Sequence, residues 1–108
     1  MDKVRLTDVA RIIRSKNSGP FELTLDVFFQ DERTFARTKK SGFFTPSLVA
    51  GLYRVTEDEV LGIHWFEPAL ALKITIARPL PSGSPGDTDV FGAQQHAPLL
   101  GLSIPLPD

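Results

Sequence analysis

Arg14, Ser15, Lys16 and Asn17 run consecutively, with Ser18, Gly19 and Pro20 behind them. The guanidinium of Arg14 is a planar fork matched to carboxylate oxygens, the ammonium of Lys16 is a point charge, and Ser15 and Asn17 add donors. With Arg11 and the turn residue Gly19, this set is a candidate for holding a carboxylate or phosphate. A purely structural reading competes with it. Cations complement the negative end of a helix, and Asn17 and Gly19 tolerate the left-handed conformation that stops one. At such an end the helix dipole opposes an anion, so side chains alone would have to bind it. The glycines and strand–helix order of a P-loop are missing.

A second cluster lies in Asp87-Thr88-Asp89-Val90-Phe91-Gly92-Ala93-Gln94-Gln95-His96-Ala97-Pro98. Two amides beside an imidazole, held between Gly92 and Pro98, fit either a self-satisfied loop or a loop facing a ligand or partner. His96 titrates nearest neutral pH and is the candidate acid–base group, with Asp89 to orient it and Gln94 and Gln95 as binding residues. No nucleophile accompanies them. His64, between Ile63 and Trp65, reads as a locally packed or paired residue, and the spacing of the two histidines matches no metal motif. Ser15 and Ser18 lack the context of a hydrolase nucleophile. Trp65, Phe66, Phe43, Phe44 and Phe91 are not interleaved with basic residues, so they read as core or interface and not as a nucleic-acid stacking surface.

The elements that must position these residues follow from periodicity. Leu6, Val9, Ala10 and Ile13 share one helical face, which predicts a helix over Asp8–Lys16 capped by Thr7. Phe21, Leu23, Leu25, Val27 and Phe29 alternate with mostly polar residues and predict a strand. Residues 31–41 read as a short helix pinned by Phe35 and ended by Gly42, and 46–54 as a second one with Thr45 as cap and Pro46 in its first turn. Strands are expected at 60–66 and 69–78, with a tight turn or bulge at Glu67-Pro68. A loop is expected at 79–89. A last strand is expected at 99–106, with Pro105 at an edge or end. The fold class is α+β: a four-stranded, mostly antiparallel sheet with helices on one face and a ferredoxin-like tendency in its strand–helix–strand–strand centre.

Composition limits the functions open to such a fold. The chain has 108 residues, 42% hydrophobic and 23% charged, as one small domain of ordinary globular type does. A net charge of −1 gives no global pull toward nucleic acid or membrane. The charge is uneven, with nine Lys/Arg against six Asp/Glu in residues 1–40 and three against seven in 41–108. That asymmetry suits self-association, a complementary partner, or two ordinary solvated surfaces. No cysteine is present, so disulfides, thiolate zinc sites and a Cys nucleophile are excluded. There is neither a membrane-length apolar run nor a signal-like N-terminus, and a cytoplasmic protein without a cofactor is the expectation.

The stretches LTDVARIIRSKNSGPFELTLDVFF (6–29), SLVAGLYRV (47–55), ALALKITIARP (69–79) and DTDVFGAQQHAPLLGLSIP (87–105) resemble a family of small proteins of unknown function. R-S-K-N-x-G-P-F and D-x-D-x-x-G-A-Q-Q-H-A-P are its specific motifs. The resemblance implies association with larger acyclic terpene utilisation A-like (AtuA-like) proteins, as a separate chain or a C-terminal module with a ferredoxin-like fold. It further implies catabolism of branched acids or their coenzyme A thioesters. It supplies no catalytic residues. Three functions are therefore expected: an accessory small subunit acting on an anionic substrate, a self-sufficient isomerase or hydro-lyase with a site between identical subunits, or a structural assembly domain.

Overall fold

In the computed structural model, which describes residues 3–18, 21–77 and 97–105, the alternation around Leu23 forms the strand that organises the molecule. We number elements in chain order: β1 (Lys3–Arg5), α1 (Leu6–Val9), β2 (Ala10–Asn17), β3 (Glu22–Phe29), α2 (Glu32–Ser41), α3 (Pro46–Tyr53), β4 (Val60–Phe66), β5 (Ala71–Ala77), α4 (Ala97–Leu100) and β6 (Ser103–Pro105). Strands β2, β3, β5 and β4 lie in that order in one sheet, and every neighbouring pair is antiparallel. Because β3 and β4 both oppose β5, they run in the same direction with β5 between them. The path β3, α2–α3, β4, β5 is thus the split β–α–β unit of ferredoxin-like folds. The fourth strand, beside β3, comes from β2 and not from the C-terminal end of the chain.

Leu23, Leu25, Val27 and Phe29 of β3 join Leu72, Ile74 and Ile76 of β5 in the core, against Phe35 of α2, Val49 of α3, Phe44 and Leu99. All these helical residues belong to one layer, so the fold is α+β with a helix-covered sheet face. Trp65 is the hub of its aromatic part, with ring centroids 6.2 Å from Phe29, 5.6 Å from Phe35 and 6.1 Å from Phe44. Offset and edge-on contacts at such distances suit the ring quadrupoles. Trp65, Phe43 and Phe44 are therefore packing residues, as expected. Phe66 is 58% exposed.

Two expected elements differ. Residues 8–16 are not a helix. One turn, α1, starts without a side-chain cap at Arg5, and the chain then extends as β2. Ile12, Ile13, Arg14, Ser15, Lys16 and Asn17 alternate across the sheet as well as they fit a helical face. Antiparallel pairing from Ile12↔Phe28 to Asn17↔Leu23 gives their backbone groups partners and decides between the two. A bulge between Ala10 and Ile12 breaks the alternation locally. At the other end, 99–106 is not a strand of the main sheet. Leu99 and Leu100 end α4, and β6 pairs with β1 in a two-stranded sheet of its own. Pro105 is its last residue, where a missing N–H does little harm.

The two middle helices match their sequence signals. Asp31 caps α2 by accepting the Thr34 N–H at 2.7 Å, and Gly42 ends it at φ +68°, where a Cβ would be strained. Thr45 caps α3 by accepting the Leu48 N–H at 3.1 Å, and Pro46 follows in the first turn. Thr45→Ala is expected to cost about 1 kcal/mol in a urea titration, the usual loss for such a cap. The backbone and side-chain hydrogen bonds from Thr34 hold the Asp31 carboxyl below its ordinary value. Depression stabilises the fold above the unfolded carboxylate value, and the gain disappears as pH falls through the folded one. Asp31→Ala should therefore melt below wild type at neutral pH and converge with it in acid. A gap that persists in acid would show that the charge is not what the cap uses. Between β4 and β5 the expected tight turn is a 3-10 turn over Glu67–Ala69, closed by Leu70 at φ 52°.

Candidate functional site

The sheet face opposite the helices is built in rungs by strand register. One rung crosses all four strands as Arg14, Asp26, Lys73 and His64. The next is Lys16, Thr24, Thr75 and Gly62, and on the other side lie Ile12, Phe28, Ala71 and Phe66. Alternation along each strand puts these twelve residues on one face, because their neighbours Leu23, Leu25, Val27, Ile74 and Ile76 point into the core. Glu22, opposite Ala77, extends the face by one more residue of β3.

Arg14 Nε donates to Asp26 Oδ2 at 3.2 Å, and the guanidinium carbon lies 4.9 Å from the Phe28 ring centroid. The carboxylate is 11% exposed and the arginine side chain 56%. The pair is therefore half-screened and contributes no more than about 1 kcal/mol. Lys73, on the other side of Asp26, and Lys16 are exposed, and neither has a carboxylate within ion-pair distance among the described residues. Thr24 is 1% exposed, and its hydroxyl has no hydrogen-bond partner among the described residues. His64 leans back along its strand: a Cβ on Gly62 would stand 2.7 Å from its Nε2. Gly62 is thus the residue that lets the imidazole lie over the second rung.

This geometry divides the candidates from the basic stretch. Arg14 and Lys16 share the open face. Ser15 is buried opposite Leu25, and Asn17 stands opposite Leu23, both on the helix-covered side. Arg11 is exposed at the bulge. The stretch ends a strand and not a helix, so its cations do not serve a helix dipole. Gly19, Asp89, Gln94, Gln95 and His96 lie outside the described residues. Asp26, Lys73, Thr24 and a surface role for His64 do not stand out in the sequence. The polar alternation of Thr24, Asp26, Lys73 and Thr75 was visible, but the register that aligns them was not.

A groove of about 500 Å³ lies on the other side of the molecule, between α2 and the Glu67–Leu70 turn, over Phe35. Its rim carries Lys39 and Lys40 against Glu32 and Glu67, so its charges cancel. The open face carries Arg14, Lys16 and Lys73 against Asp26 and Glu22, with Asp26 already engaged. Of the two, the face is the better place for an anion. No cluster of three metal-ligating side chains occurs among the described residues, and no helix there is long and apolar enough to cross a membrane.

The family model for Domain of unknown function (DUF4387) matches residues 6–103, so the chain belongs to that family. No curated protein and no solved structure matches it.

Proposed function

We propose that the chain is an accessory module, the small subunit of a two-component metabolic enzyme, and that it presents the open sheet face to an anionic substrate. A carboxylic acid or an acyl-CoA is the substrate class. A larger AtuA-like chain, or a second copy of this one, closes the face and supplies the rest of the catalytic apparatus. The observation that carries this reading is the line of basic groups on a sheet face that no described helix covers. Such a platform binds and orients but does not by itself enclose a reaction. The cytoplasm, where such thioesters are handled, is the proposed compartment.

The test is reconstitution. The isolated chain should bind a short-chain acyl-CoA without turning it over, and turnover should appear when the larger chain is added. Association in gel filtration should weaken with Lys73→Glu. Failure of the isolated chain both to bind an acyl-CoA or carboxylate and to associate with the larger chain would sink the proposal. A second reading, a self-sufficient isomerase or hydro-lyase, draws on His64 sharing a rung with Lys73, which places an imidazole beside a cation. It predicts turnover by the isolated chain, abolished by His64→Ala with folding intact. A purely structural assembly role instead predicts that substitutions on the face change oligomeric state and leave turnover alone.

A further inference from the structure

We infer that the oxyanion of the ligand sits on the second rung of the open face, over Thr24, between Lys16 and the Thr75–Gly62 end covered by His64. The inference rests on the proposed anion-binding role and specifies the atoms that perform it.

Every side chain along this rung can donate, and the His64 ring reaches over its glycine from the adjoining one. Lys16 stands at one edge, the hydroxyls of Thr24 and Thr75 lie in the middle, and the His64 ring is folded over Gly62 at the other edge. Lys73 adds a cation from the adjoining rung, beside Thr75 on the same strand face. Phosphate and carboxylate oxygens are acceptors with charge to share, and donors of this kind give short, strong hydrogen bonds to them. Arg14 stands on the adjoining rung with its Nε donating to Asp26, so it lies beside the set and is not part of it.

Thr24 is the independent observation. A buried hydroxyl without a partner is costly, and native folds ordinarily satisfy such groups. Valine would fill the same volume on a central strand, suit its β propensity and carry no orphan group. A threonine at this place, on the central strand of the cationic face, has a use for its donor. The exposed, flexible stems of Lys16 and Lys73 flank it and can move to admit a ligand. Glu22, one step further along β3, is the next carboxylate on this face among the described residues and sets the limit of the site.

Inorganic phosphate and acetate, titrated separately into the full chain at constant ionic strength and followed by amide chemical shifts, test the inference. We expect saturable shifts centred on Thr24, Thr75 and Gly62. Thr24→Val should weaken binding about tenfold, the loss of one hydrogen bond to a charged group, while raising the melting temperature. Gly62→Ala displaces the His64 ring and should weaken binding with the fold retained. Glu22→Gln should strengthen it. The stronger of the two ions tells a phosphate group from a carboxylate. Shifts centred on Ile12, Arg14 and Phe28, with Thr24→Val binding as wild type, would overturn this placement and leave the anion-binding face standing. An absence of shifts anywhere on the face would overturn both.

Discussion

Phe29→Ala should lower the unfolding free energy by about 3–5 kcal/mol, the usual cost of removing a large buried aromatic ring. Phe29 is 1% exposed, the last residue of β3, and its ring centroid lies 6.1 Å from Phe35 and 6.2 Å from Trp65. It thus joins the central strand to α2 and to the edge strand β4. Two terms add: the apolar area returned to water, and the cavity that Phe35 and Trp65 cannot close because each is held by other contacts. A domain of this size has about 5–15 kcal/mol in total, so the variant is left marginal. Phe29→Leu keeps most of the volume and should cost less than half as much. Urea titrations of both variants, read by Trp65 fluorescence and by far-ultraviolet circular dichroism, measure the difference. A loss below about 1 kcal/mol for the alanine variant would mean that the aromatic cluster is not the keystone of the core.

Much of this core can be read from the chain before folding is considered. Leu23, Leu25, Val27 and Phe29 alternate without a break, and helices α2 and α3 announce themselves through Asp31, Gly42, Thr45 and Pro46. Each of these signals is local. The residues around Ala10 carry two local signals that disagree. Leu6, Val9, Ala10 and Ile13 suit a helical stripe, while Ile12, Arg14 and Lys16 alternate with Ile13, Ser15 and Asn17. The hydrogen bonds to β3 settle the conflict, and a partner strand is a tertiary fact. The same holds for the candidate site. Arg14 and Lys16 stand out in the chain for their chemistry, and the fold places them on one sheet face. Asp26, Lys73 and His64 join them only through strand register, which relates residues far apart in the chain. The small mark that Gly62 leaves, a missing Cβ beneath an imidazole, has no sequence signature of its own.

Asp26→Lys is expected to destabilise the fold by about 3 kcal/mol, because it leaves an uncompensated charge at a buried position. Asp26 is 8% exposed and stands between Arg14 and Lys73, directly opposite each. The substitution turns a rung of alternating sign into three adjacent cations, with His64 beyond them, and like charges in directly opposed cross-strand positions repel. The neutral control separates the contributions. Asp26→Asn removes the ion pair but adds no charge, so it should cost only about 1 kcal/mol, in keeping with the exposure of Arg14. The excess loss in the lysine variant is repulsion and desolvation, and its repulsive part should shrink as salt is raised from low to about 1 M. Thermal melts of the two variants across that range therefore test the rung itself. If Asp26→Lys melts with Asp26→Asn at every salt concentration, Arg14 and Lys73 do not flank this carboxylate. The cationic face would then lose the register on which its function is argued.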